Sequence, residues 1–483
     1  MNPEFPCPDL PMSFDKLLIN GAWTAGASSF PVRNKFTGGA IAEMAQASRE
    51  QVRQAVAAAQ QAFKAGPPTP YQRYQFLMAA AAALATRRQE FRDTIVAETG
   101  FTLADADNEV NRAIQTLTLS AEEARRLAGE VVPMGGAPTV GNRLGFTIRV
   151  PLGVVCAITP FNSPLNTVCH KLGPALAAGN AVVLKPAGAT PLTAGLLCEV
   201  LVRAGVPKGF LSLVHGKGAE IGEWLLAEEA IRFYLFTGST EVGRTIQRGA
   251  GLRRTQMELG SIASTIVCAD ADLAACLPKI VNACFRKAGQ VCTSIQLLHV
   301  EESILERFSE RFVAAAQKFK AGDPRLAETM VGPMISLANA ERVEAWIAEA
   351  VSEGAQLALG GPRQGPVLPP TVLTGVRPGM KVVDLEVFGP VVSILPFARL
   401  DEAIDRVNAS PYGLATGIFT RNLEHAFGAA LKLEVGSVHI NETCSSRVDL
   451  MPYAGTKDSG FGSEGPKYAV RELSEERLLT ISL

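Results

Sequence analysis

From Val154 onward, short apolar runs alternate with segments of helical length. The runs are Val154–Ile158, Ala181–Leu184, Leu211–Val214 and Ile231–Phe236. That alternation predicts a parallel sheet flanked by helices, an α/β fold. In such a sheet a dinucleotide binds where the loops gather at the strand ends. A second α/β stretch begins near Leu259. It holds an apolar segment from Ser261 to Val267, a helix over Leu273–Ala288 and a strand over Ile295–Val300. Helices are predicted over 304–319 and 339–353, and later strands over 391–395 and 417–419. A chain of 483 residues is too long for one core, so two or more domains are expected.

Ahead of the first sheet, residues 49–66, 71–95 and 104–128 carry helical spacing with charged outer faces. Pro133 to Gly145 breaks that pattern and leads into Phe146–Val150, which alternates like a strand. The tail, Leu478 to Leu483, alternates too. It is expected to pair with the Phe146–Val150 ribbon of a partner molecule, giving an oligomer.

Composition removes several classes. Hydrophobic content of 47% with 19% charged residues is globular, and a net charge of −1 gives no reason to expect nucleic acid or an anionic membrane as partner. No apolar run is long enough to cross a bilayer. Met1 to Met12 is proline-rich, without a basic region followed by an apolar one, and reads as a loose arm rather than a signal peptide. The 9 cysteines are scattered, with no CxxC pair and no Cys/His cluster, so no metal is expected and a reducing compartment, the cytoplasm, is. Cys156, Cys268 and Cys284 lie in apolar runs and read as core filler. The 5 histidines sit apart, none obviously beside a cysteine, so a Cys-His hydrolase lacks its base.

Two residues carry chemistry. Cys292 follows Gly289-Gln290 on a loop, and Glu258 ends a predicted strand. Nucleophile and base is one reading; core thiol and paired carboxylate is the other. Asn162 stands between prolines after the Val154 strand, as an oxyanion donor or a turn residue. Lys185 ends a strand, where it reads as a ribose or phosphate ligand or as a surface lysine. Gly238, Ser239 and Gly243 open a helix after a strand. They suit a phosphate or a plain helix cap. Glu386 with Phe388 reads as a ribose carboxylate beside a planar ring, or as a strand end and turn.

Taken in order, these segments resemble the aldehyde dehydrogenase superfamily. The matching pieces are Pro160-Phe-Asn162, Lys185-Pro, Gly238 to Gly243, Glu258-Leu-Gly260, Gly289-Gln-Val-Cys292, Glu386-Val-Phe388-Gly-Pro and Met451 to Gly460, spread from about residue 15 onward. The resemblance implies a Rossmann-like cofactor domain (1–128 and 153–260), an α/β catalytic domain (261–445) and a small β oligomerisation ribbon (129–152 and 466–483), assembled as a homodimer or homotetramer. It implies that an aldehyde is oxidised to the acid with hydride passing to NAD or NADP. Cys292 would be the nucleophile, Glu258 the base and Asn162 the oxyanion donor. Lys185 and Glu386 would hold the two riboses and Ser239 the pyrophosphate. Thr159, Pro160, Phe161, Gly188, Gly238, Gly243, Leu259 and Phe388 would complete the cofactor cleft.

Departures narrow the expectation. Many members carry Glu where Gly188 stands. Its absence removes a clash with a 2′-phosphate, so NADP is expected to be accepted. Phe161 stands where many members have Trp, and Ala454 where glycine is common. Arg112 and Arg447 could bind an anionic or semialdehyde substrate, or be structural, Arg447 pairing with Asp449 for example. Rival activities are a CoA-acylating dehydrogenase, which generally lacks a glutamate at the Glu258 position, and a cofactor-independent cysteine esterase. A non-catalytic protein that keeps the fold is the remaining alternative.

Overall fold

The computed structural model describes residues 15–138 and 142–483. The Met1–Met12 arm and part of the Pro133–Gly145 stretch lie outside them.

All four apolar runs after residue 153 are strands of one sheet of eight. Its order is Ala22–Thr24, Leu17–Ile19, Leu211–Leu213, Ala181–Lys185, Val154–Ile158, Ile231–Thr237, Arg254–Glu258 and Gly460–Phe461. The five middle strands run parallel, and the outer ones antiparallel. Val154–Ile158 and Ala181–Lys185 are buried at every position, as apolar runs between helical layers must be. Strand order reverses on either side of Val154–Ile158. A crevice therefore opens at its carboxyl end.

A second sheet has seven strands, in the order Gln356–Leu359, Thr371–Thr374, Val391–Phe397, Leu297–Glu301, Ser264–Val267, Ala415–Phe419 and Ser437–Ile440. All but the first are parallel. Each sheet has its own main core, one running from Leu17 to Leu473 and one from Ile262 to Cys444.

Three differences from the sequence reading stand out. The tail does not wait for a partner: Ser474–Ser482 pairs antiparallel with Arg143–Pro151 of the same chain, Ser474 opposite Pro151 and Ser482 opposite Arg143. The helix Pro466–Glu472 causes this, because it packs Ala469 and Val470 into the first core and delivers the strand beside Pro151. Second, the 71–95 helix is two helices, Pro70–Thr86 and Arg88–Thr99. Arg87 leaves helical geometry (ψ 19°) and its guanidinium bonds Glu90 and pairs with Glu199, a contact no local pattern announces. Third, the short strands Leu17–Ile19, Ala22–Thr24, Ser28–Arg33 and Ala40–Gln46 went unpredicted.

Candidate active site

Ile158, Lys185, Thr237 and Glu258 are the last residues of four adjacent strands in the first sheet. All four line one cavity of about 950 Å³, at the large end for a small-molecule site. Its opposite wall is built by Arg286, Lys287, Val291, Cys292, Thr293, Glu386, Phe388, Ser445, Arg447 and Tyr453. Every site residue expected from the sequence lines this cavity except Gly188 and Gly243.

Cys292 reaches the cavity by an unusual turn. Lys287, Ala288 and Gly289 all have left-handed backbone, φ 52°, 54° and 68°. A Cβ on Gly289 would lie 2.0 Å from the Gly389 carbonyl oxygen, so only glycine fits. The two non-glycine residues cost roughly 1–2 kcal/mol each in that conformation, which surrounding contacts must offset. Several are visible. The Lys287 amide donates to Asp105 Oδ2 (3.3 Å), and its ammonium to Glu109 Oε2 (2.8 Å) and the Asn162 carbonyl (2.9 Å). The Gln290 amide closes back on the Lys287 carbonyl (3.1 Å).

The thiol is half-buried, whereas the other seven described cysteines are buried. Burial pushes the Cys292 thiol up to about 11, while the Tyr453 hydroxyl, 2.9 Å away, and Arg447 act the other way. Arg447 stacks on the Tyr453 ring at 3.8 Å. The Asn162 side-chain amide donates to the Gln290 carbonyl (2.8 Å), two residues before the sulfur. One of its two N–H groups is thereby used. Glu258 is 3% exposed, and neither carboxylate oxygen has a hydrogen-bond partner among the described residues. Burial, then repulsion from Glu464, raises its carboxyl well above the ordinary range. Glu464 itself lies 2.6 Å from Lys171 Nζ and 2.9 Å from Arg447 Nη2.

Among the expected cofactor residues, Lys185 is buried, and burial lowers its ammonium to about 8. Glu386 accepts from the Ser261 amide (2.9 Å), and burial raises its carboxyl to about 7. Phe388 meets Phe161 edge-on, centroids 5.9 Å apart. The Ser239 hydroxyl accepts from the Val242 amide and caps the Thr240–Ala250 helix. A Cβ at Gly243 would meet the Leu259 side chain at 2.4 Å, so the missing side chain makes room for Leu259. At Gly238 the Phe236 ring fills the same role. Gly188 is exposed, and a Cβ there would touch only the Gly216 carbonyl, at 3.7 Å. Thr159 and Thr237 place buried, unpartnered hydroxyls on residues of the cavity wall, which suits a polar ligand such as a dinucleotide.

A model of the aldehyde dehydrogenase family matches residues 23–479. The chain belongs to the aldehyde dehydrogenase family. This aldehyde dehydrogenase is 48% identical to a 3-sulfolactaldehyde dehydrogenase of Priestia aryabhattai over 467 residues, 97% of this chain and 98% of that protein. Aldehyde dehydrogenase 21 of Physcomitrella patens, solved in complex with the reaction product succinate, superposes with a TM-score of 0.94 at 36% identity, covering 97% of this chain and 98% of that one. Glyceraldehyde-3-phosphate dehydrogenase GapN of Methanocaldococcus jannaschii, complexed with NADP, gives 0.91 at 35% identity, covering 94% and 99%.

The charged wall of the aldehyde dehydrogenase differs from the sequence reading. Asp449 pairs not with Arg447 but with Arg112, through two hydrogen bonds of 2.7 and 3.2 Å, and also meets His170. Arg447 is taken by Glu464. Both arginines thus reach the cavity already neutralised. Arg286, overlooked in the sequence, does not: it donates to the Ser445 hydroxyl (2.6 Å) and makes no ion pair among the described residues. Tyr453 was missed as well, although it lies inside the Met451–Gly460 match. No helix among the described residues is long and apolar enough to cross a membrane, and no group of three potential metal ligands occurs among them.

Proposed function

We propose that this aldehyde dehydrogenase oxidises a small aldehyde bearing an anionic group to the carboxylic acid, with NADP or NAD as hydride acceptor. The observation that carries the substrate class is Arg286, a cavity guanidinium that makes no ion pair among the described residues and feels the Asp105 carboxylate only at longer range. A bound sulfonate, carboxylate or phosphate would supply the missing anion. The relatives point the same way, since their names or contents include a sulfonated aldehyde, succinate and a phosphorylated aldehyde.

Cys292 acts as nucleophile once its thiol proton has passed to solvent. With the thiol raised by burial, the Tyr453 hydroxyl and the Arg447 charge favour the thiolate. A bond forms from sulfur to the carbonyl carbon, and the π pair moves to oxygen. The free N–H of the Asn162 amide and the Cys292 backbone N–H stabilise that oxyanion, a donor of this kind contributing on the order of 3 kcal/mol. Bound NAD or NADP supplies the acceptor for the hydride that leaves this carbon. The carbonyl re-forms as a thioester on Cys292. Glu258, as carboxylate, takes a proton from water; hydroxide adds to the thioester, the carbon–sulfur bond breaks, and the acid leaves. Lys185, Glu386, Thr159, Pro160, Phe161, Gly238, Ser239, Leu259 and Phe388, which line the cavity, would hold and orient the cofactor.

Open space at Gly188 favours acceptance of NADP, because no carboxylate stands there to repel a 2′-phosphate. Glu258 favours water over CoA as the acyl acceptor. The free described cysteines fit a reducing cytoplasm. Homodimer or homotetramer formation is supported by exposed apolar residues on the ribbon, Leu144, Ile148, Leu478 and Ile481, and on one helix, Leu423, Phe427 and Leu431. A division into cofactor and catalytic units is supported by the two main cores, and a ribbon unit by the separate three-stranded sheet of Val131–Val132, Arg143–Pro151 and Ser474–Ser482.

Initial rates with a panel of neutral and anionic aldehydes, each with NAD and NADP and with or without CoA, test this reading. Acid should form without CoA, and anionic aldehydes should give the higher kcat/KM. A preference for NAD above roughly tenfold, about 1.4 kcal/mol, defeats the Gly188 argument. Arg286→Met should raise KM for anionic aldehydes roughly tenfold or more, the loss of one charge-assisted contact, while leaving neutral aldehydes unaffected. Equal effects on both would remove Arg286 from substrate recognition.

A further inference from the structure

The nucleophile and the oxyanion donor sit on loops from different units, and the chemistry proposed above needs them in fixed register. Two hydrogen bonds cross between these loops in opposite senses. The Asn162 side chain donates to the Gln290 backbone (2.8 Å), and the Lys287 side chain donates to the Asn162 backbone (2.9 Å). A single carboxylate anchors both. Glu109, on the helix Leu103–Arg126 and 2% exposed, accepts from Lys287 Nζ at Oε2 (2.8 Å). Its Oε1 accepts from the Ser163 hydroxyl (2.6 Å) and the Asn166 amide (2.9 Å), which follow Asn162 in the chain.

We infer that Lys287 is a positioning residue: by fastening the Asn162 loop to the left-handed segment before Cys292, its ammonium sets the spacing between oxyanion donor and sulfur. This rests on the assignment of Cys292 and Asn162 given above.

Three features favour the role over a simple buried ion pair. Lys287 is itself in left-handed backbone, a conformation that a lysine adopts only when held. Its ammonium also lies over the Phe101 ring, 4.6 Å from the centroid, so the first unit fixes it on a second side. Its side chain lines the same cavity as Cys292. Burial pushes the Glu109 carboxyl up, and Lys287, Ser163 and Asn166 more than reverse that, keeping it charged. A neutral residue at 287 leaves that charge without its counter-ion and frees the Asn162 carbonyl.

The test compares two reactions of the same sulfur in Lys287→Met. Hydride transfer in the first turnover needs the oxyanion donor; alkylation by iodoacetamide does not. The pre-steady-state burst should slow by roughly 10–100-fold, the penalty of a small misplacement. KM for the cofactor and the alkylation rate should hold. In Lys287→Ala, added propylammonium should restore part of the burst, whereas an equal concentration of sodium should not. Should Lys287→Met not fold, Glu109→Gln, which keeps the side-chain volume, carries the same comparison. An unchanged burst in folded variant overturns the inference, as does a fall in burst and alkylation by the same factor, which marks general disorder. If the wild type itself forms no reduced cofactor with any aldehyde, the functional reading fails and this inference falls with it. A normal wild-type burst with an insensitive variant removes the clamp alone.

Discussion

Glu258 and Glu464 are 3% and 2% exposed, yet their carboxyls are driven in opposite directions. Burial pushes both up. Around Glu464, the Lys171 ammonium at 2.6 Å and the Arg447 guanidinium at 2.9 Å overwhelm that push and hold it far below the usual range. Glu258 has no hydrogen-bond partner among the described residues and faces the negative charge of Glu464, so it stays well above. Burial therefore does not decide protonation; the neighbours do. A carboxyl locked between two cations keeps its charge and cannot trade protons. The one beside it, unpartnered on the cavity wall, can.

The largest effect expected is from Glu258→Gln. Turnover should fall roughly 10²–10⁴-fold, the contribution of a positioned base, while the first-turnover hydride burst survives. Stopped-flow absorbance at 340 nm separates the two, and loss of the burst as well would break the assignment of Glu258 to the water step.

Glu464→Gln comes next. It strands Lys171, which is fully buried, and Arg447 beside a neutral amide, costing about 3–5 kcal/mol and lowering Tm. It also removes the repulsion on Glu258. The base form of Glu258 then persists to lower pH, so the rising acid limb of the thioester-hydrolysis rate should move down. A limb that stays put means the two carboxyls do not communicate.

Lys171→Met sharpens the comparison with the smallest expected effect and the opposite sign. Lys171 attracts the charged form of Glu258, so its loss should move the same limb to higher pH. Shifts of equal sign in the two variants would show that structural damage, not charge, governs the profile.

What was legible in the sequence was what depends on neighbours along the chain. Val154–Ile158 and Ala181–Lys185 announce themselves as runs buried throughout. Cys292 and Glu258 were readable because their flanking segments form an ordered set. The rest depends on residues far apart in sequence. Nothing near Arg87 shows that its guanidinium will pair with Glu199. Asp449 lies two residues from Arg447, yet it is claimed by Arg112 from the other unit, 337 positions away. Arg286 looked like one more basic residue until the ion pairs of its neighbours were known. The tail strand was readable as a strand and misassigned in its partner, since the helix that aims it, Pro466–Glu472, owes its place to tertiary packing.

The first core packs Leu17 and Leu18 together with Ala469, Val470 and Leu473. Synthesis delivers those two groups at opposite times. A nascent chain emerging from the ribosome must carry an unfinished hydrophobic surface through the translation of the whole second unit, until residue 473 has cleared the exit tunnel. The later unit, with a core spanning only Ile262 to Cys444, can close earlier. The core begun first is thus the one completed last.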